Sequence, residues 1–172
     1  DPVLGKIDSP KGKATLKSCV SSLVQTLKPG GYLILFDGLE PNIPPDTTLQ
    51  IKFQNREASD KFQIFAHEYH PFQIQYRQEN NNSVTLSMRD FTRYVTKIIF
   101  LGKPLWERER HESYQYFNEN EMRRMLSENY FQVLEFRLLS VDYDHWLREI
   151  TILTPGVDFP PEHVIITARK TE

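Results

Sequence analysis

Tyr32-Leu33-Ile34-Leu35-Phe36 is an unbroken apolar run of strand length, held between Lys28-Pro29-Gly30-Gly31 and Asp37-Gly38. A strand that faces water on one side alternates apolar with polar residues, so a run without alternation predicts a strand covered on both faces, as in the parallel sheet of an α/β protein. A helix precedes it. Ser9-Pro10 combines a hydroxyl N-cap with a proline where a missing N–H costs nothing, and Leu16, Cys19, Val20, Leu23, Val24 and Leu27 recur at helical spacing up to the Pro-Gly-Gly stop. Helix, tight turn and buried strand make half of a βαβ unit. The chain has 172 residues, 39% of them hydrophobic, enough for one core and short for two ordinary domains.

Beyond Gly38 the character changes. Pro41-Asn42-Ile43-Pro44-Pro45 is a stiff loop, and an aromatic and amide-rich stretch follows it, which marks residues 39–117 as an insertion within a single unit spanning 1–172. Leu49, Ile51 and Phe53 alternate, as do Phe72, Ile74 and Tyr76, and Phe62, Phe65, Ala66 and Tyr69 place a helix between these two extended segments. Gln78 to Ser83 reads as a polar turn. From Ser87 a helix is expected to reach Leu101, with Phe91, Tyr94, Val95, Ile98 and Ile99 as its core stripe and Arg89, Arg93 and Lys97 on its other face. Asn118 with Glu121 has capping-box spacing, and Met122, Met125, Leu126 and Tyr130 form the buried side of the helix it starts. Phe131 to Val141 reads as a strand, and Val164-Ile165-Ile166 lies in a last one, after a long connection.

Charge and composition exclude several function classes. The formal net charge is −2, from 21 basic and 23 acidic residues, so no global field attracts nucleic acid or an anionic membrane. Arg89 to Arg110 is locally basic, and that stripe reads as the solvated face of a helix, so nucleic acid is not an expected partner. No apolar run approaches the roughly 20 residues of a membrane span, and no signal-peptide core stands near Asp1, so no membrane partner and a cytoplasmic location are expected. The single cysteine, Cys19, excludes an internal disulfide and a Cys-based zinc site, and reads as a buried structural thiol. His67 and His70 are three apart, but Glu68 does not complete H-E-x-x-H, and no metal is expected. The seven glycines, at 5, 12, 30, 31, 38, 102 and 156, form neither G-x-G-x-x-G nor a P-loop, so no cofactor-binding residue is assigned.

The string Leu27 to Gly38 resembles the segment before and through the fifth strand of class I S-adenosylmethionine-dependent methyltransferases. Tyr116-Phe117-Asn118-Glu119 through Leu134 resembles that family's last helix and sixth strand, and Val164 to Lys170 its final strand. The resemblance covers nearly the whole chain but only the C-terminal half of the family's domain. It implies a partial Rossmann-like methyltransferase sheet, strands five, six and seven, with a helical and aromatic insert after strand five. S-adenosylmethionine would then belong to the parent protein and not to this fragment alone, and the N-terminal half of the same protein would be its partner. In the family's sheet the fifth strand lies between the fourth and the seventh, so residues 32–36 become an apolar edge and a route to a homo-oligomer.

Asp37 follows the strand at its carboxyl end, where open α/β sheets place ligands, although Asp-Gly pairs also make plain turns. Arg93, Tyr94, Lys97, Trp106, Tyr114 and Tyr116 are candidates to line a pocket for a small-molecule acceptor, with core packing as the alternative for each aromatic. His67, His70, His111 and Glu112 are candidates for a general base, where the acceptor needs one. Two functions remain open from the sequence: the C-terminal portion of a methyltransferase, inactive alone, or a non-catalytic interaction or substrate-selecting module of a larger multidomain protein.

Overall fold

A computed structural model describes residues 9–113, 117–140 and 143–171. Over these residues the chain is mixed α/β, with two antiparallel sheets and six α-helices. The elements run α1 (Ser9–Thr26), β1 (Tyr32–Gly38), β2 (Thr48–Phe53), α2 (Arg56–Glu68), β3 (Tyr76–Asn80), β4 (Ser83–Ser87), α3 (Met88–Lys97), α4 (Trp106–Glu109), α5 (Glu119–Glu128), β5 (Phe131–Leu139), α6 (Tyr143–Glu149), β6 (Ile150–Ile152) and β7 (His163–Lys170). A single 3-10 turn, Ile98–Phe100, extends α3 toward Gly102. Among the described residues no helix is long and apolar enough to cross a membrane.

The first sheet has the order β1-β7-β5, and β7 runs antiparallel to both neighbours. The expected parallel pairing therefore does not form. The reason lies in the connection after β5, which leaves and returns at one end of the sheet: the Glu162 N–H donates to the Leu139 carbonyl at 3.0 Å. On one face Leu33, Leu35, Val133, Phe136, Val164, Ile166 and Ala168 meet α1 and α5 through Leu16, Val20, Met122, Met125 and Leu126. The stripe of α1 that docks is thus Leu16, Val20, Val24 and Leu27, spaced three and four apart. Cys19 lies off this stripe and is exposed, contrary to the buried reading. Tyr130 is exposed as well, and takes a positive φ of 58° in the turn that starts β5.

The opposite face of β1 is open. Tyr32, Ile34 and Phe36 are 60%, 73% and 61% exposed. Among the described residues the apolar run is covered on one side only, and none of them pairs with the outer edge of β1.

The last turn of α1 is closed by β7. Lys170 Nζ donates to the Val24 and Leu27 carbonyls at 2.7 and 2.8 Å, which places a cation on carbonyls that a helix end leaves unpaired. The capping box of α5 is complete, with the Glu121 N–H on Asn118 Oδ1 at 2.9 Å and the Asn118 N–H on Glu121 Oε2 at 3.2 Å. Lys13 reaches the same carboxylate at 2.9 Å and ties α5 to α1.

The second sheet has the order β3-β4-β2-β6, all neighbours antiparallel. Leu49, Ile51 and Phe53 face a core with Phe62 and Phe65 of α2 and Phe91 and Tyr94 of α3. The polar turn is narrower than its composition implies, since Asn81 and Asn82 alone join β3 to β4. Phe72 and Ile74 precede β3 and do not belong to it. The fourth strand, β6, arrives from the connection after β5 and pairs Ile51 with Ile152 and Phe53 with Ile150.

Candidate functional site at the carboxyl end of β1

Asp37 is the penultimate residue of β1, beside Val164, and the neighbouring Gly38 pairs with His163. The Gly38 N–H donates to Asp37 Oδ1 at 2.8 Å. Burial outweighs that bond and pushes the Asp37 carboxyl up to about 6. A carboxylate so placed accepts a proton near neutral pH more readily than an exposed aspartate does.

From Gly38 the chain passes against the start of α3 before it enters β2. Leu39 is buried, the Glu40 N–H bonds the Phe117 carbonyl at 2.9 Å, and the Glu40 carboxylate meets Arg89 Nε at 3.3 Å. The proline-rich loop then straps onto the start of α3, with the Arg89 N–H on the Pro45 carbonyl at 3.0 Å and the Met88 N–H on the Thr47 carbonyl at 2.8 Å. Ser87 caps α3 by accepting the Asp90 N–H at 3.1 Å. The N–H groups of the first turn are therefore bound within the protein.

Beside this turn opens a cleft of about 560 Å³ walled by Asp46, Phe72, Gln75, Arg89, Asp90 and Arg93. Arg93 lies with its guanidinium 3.8 Å from the centre of the Phe72 ring and donates from Nη1 to Asp90 Oδ1 at 2.9 Å. The second Asp90 oxygen accepts the Gln75 N–H at 3.2 Å. Arg93 is thus the one sequence candidate on α3 that lines an open space.

The other candidates on the described chain are interior groups. Tyr94 is fully buried among Phe62, Phe65 and Trp146, and burial raises its phenol well above the usual range. Trp106 is buried and donates to Glu68 Oε2. Lys97, assigned to the solvent face by its spacing from Arg93, is 1% exposed and bonds Glu109 Oε2 at 2.6 Å. Its partner comes from the short helix α4, which folds back over the end of α3, and burial lowers the Lys97 ammonium against the pull of Glu109. Arg108 joins this junction at 3.0 Å from Glu109 and 3.8 Å from the buried Glu112. Tyr114 and Tyr116 lie outside the described residues.

The histidines divide similarly. His67, His70 and His111 are exposed, His70 and His111 stack with ring centres 4.6 Å apart, and the described residues contain no group of three or more potential metal ligands. His163 was not among the sequence candidates, yet it stands opposite Gly38 with its ring stacked on Phe36 at 5.0 Å. Its Nδ1 is buried without a hydrogen-bond partner among the described residues, and burial together with the nearby Lys97 charge lowers its pKa. Position at the head of the last strand was the one signal available, and it does not reveal the neighbours.

No family model, curated protein or solved structure matches the chain. The reading of the site rests on its own geometry: a raised carboxyl at a strand end, a neutral-leaning imidazole on the adjacent strand, and an arginine-lined cleft joined to both by residues 38–47.

Proposed function

We propose that this chain is the C-terminal portion of a class I S-adenosylmethionine-dependent methyltransferase, with β1, β5 and β7 as the family's fifth, sixth and seventh strands. The observation that carries this reading is the state of β1. It has β7 on one side, as the family's fifth strand has the seventh, and on the side where the family has its fourth strand an edge that no described residue pairs with. The apolar open face of Tyr32, Ile34 and Phe36 fits a strand whose cover is supplied by residues outside this stretch of chain.

The residues present do not fit S-adenosylmethionine by themselves. Gly30 and Gly31, the one adjacent glycine pair, serve the turn into β1: Gly30 has a φ of +79°, and a Cβ on Gly31 would stand 2.9 Å from the Lys28 carbonyl oxygen. The glycine pair is filled by its own chain and leaves no cradle for a nucleoside or an amino-acid group. The role of this portion is to position the acceptor. The cleft at Arg93 holds a small molecule, Asp37 stands ready to take a proton, and residues 40–47 run from β1 to contacts with the start of α3. Methyl transfer depends mainly on alignment and exclusion of water, and the largely buried Arg93 against Phe72 would contribute alignment.

The test is calorimetric titration of S-adenosylhomocysteine into the 172-residue chain and into the same chain extended upstream by about 100 residues, the span of four βα units. Saturable binding by the extended chain alone is expected. An extended chain that binds no S-adenosylhomocysteine overturns the reading and leaves an interaction module in its place.

A further inference from the structure

Arg93 is held as few surface arginines are. Its side chain is 12% exposed, fixed below by the Phe72 ring and at one edge by Asp90. A guanidinium carries five N–H donors in a planar fork, and among the described residues Asp90 is the sole acceptor that Arg93 has found. The donors left over belong to a side chain that lines the cleft. One turn earlier Arg89 lines the same cleft, bound by Glu40 at 3.3 Å and by the exposed Asp46 at 3.6 Å.

We propose that this cleft is a binding site for a small organic monocarboxylate with an apolar, preferably aromatic, body. Unused donors on a rigid, mostly buried guanidinium match a planar carboxylate, which takes two parallel N–H bonds. The apolar body rests on the wall that Phe72 provides, and a volume of about 560 Å³ suits a ligand of that size. Glu40, Asp46 and Asp90 outnumber the two arginines, so the charge balance opposes any anion and a phosphate dianion more than a carboxylate, and carboxylate binding rests on the unused Arg93 donors.

The position of the cleft ties it to Asp37. Glu40, the partner of Arg89, follows Asp37 by three residues, so the chain between them spans at most about 10 Å. The identification of this ligand with the methyl acceptor rests on the function proposed above, whereas the carboxylate site stands on the cleft alone.

The experiment is nuclear magnetic resonance of the isotopically labelled chain, following the Arg93 Nε–H signal during addition of benzoate, benzamide or phenyl phosphate. Benzoate is expected to shift this signal saturably, benzamide to bind at least about tenfold more weakly, and phenyl phosphate no more tightly than benzoate. Arg93→Lys, which keeps the charge and loses the fork, is expected to weaken benzoate by about tenfold. Equal binding of benzamide and benzoate, tighter binding of phenyl phosphate, or full benzoate affinity in Arg93→Lys overturns the proposal. The comparison of the three probes on the unaltered chain decides even where the variant fails to fold. None of these measurements involves a methyl donor, so failure here leaves the methyltransferase reading intact, and failure of S-adenosylhomocysteine to bind leaves this site intact.

Discussion

Replacing Asp37 by asparagine is expected to stabilise the protein at neutral pH and to do little in acid. The folded carboxyl titrates at about 6 against 3.8 for an unperturbed aspartate, because burial disfavours its charged form. Below pH 3.8 the group is protonated in both folded and unfolded chains and costs nothing. Between 3.8 and about 6 the folded state holds the proton more tightly, so this contribution to stability is lost as pH rises through that window. Above it the full penalty applies, about 2 units at 1.36 kcal/mol each, or about 3 kcal/mol. Asparagine has nearly the same shape, stays neutral at every pH, and offers the Gly38 N–H the same acceptor oxygen. Urea unfolding followed by fluorescence of the buried Trp106 and Trp146 reads the difference. The variant is expected to exceed the parent by about 3 kcal/mol at pH 7.5 and to approach it at pH 4. An equal gap at both pH values, or a less stable variant at pH 7.5, refutes the assignment of a buried, destabilising charge to this strand end.

Glu109→Gln removes the carboxylate that Lys97 hydrogen-bonds in the interior and is expected to cost about 3 kcal/mol in thermal or urea unfolding, whereas Lys97→Met with Glu109→Leu costs less than either single change. Cys19, being exposed, is expected to react with a thiol reagent in the native protein; reaction in denaturant alone contradicts its place on α1. The open edge and face of β1 are expected to drive concentration-dependent association in sedimentation velocity, and Ile34→Lys to suppress it; a monomer at the highest accessible concentration counts against an adhesive β1.

Local signals carried most of the first sheet. The Ser9-Pro10 start, the Pro-Gly-Gly stop, the apolar run of β1 and the Asn118–Glu121 box are each decided by residues within one or two turns, and the elements stand close to where their patterns placed them, Ser9 being the first helical residue rather than the cap. The face of a residue was legible only where its neighbours were also local. Lys97 shares helical spacing with Arg93, and nothing nearby in sequence says that α4 folds over it with Glu109. Ile150 to Ile152 is too short to declare a strand, and acquires its identity from Ile51 and Phe53, far earlier in the chain. The two-sided burial expected of Tyr32 to Phe36 depended on a cover that the described residues do not supply. At the site, Asp37 and Arg93 were visible because strand ends and helix faces are periodic features. His163 was not, because its environment is assembled from Phe36 and Lys97 across the fold.

Of the three strands described in the first sheet, the middle one is the last to be made. Until residues 163–170 leave the ribosome, β1 and β5 lack the strand that joins them, and the apolar run of β1 is bare along the edge that β7 covers. Lys170, which closes the carbonyl end of α1, arrives at the same moment. Sheet, helix cap and strand-end site therefore close together in one late step. A chain cut before His163 loses its keystone and not merely an edge, and during synthesis it presents the same sticky segment for the longest time.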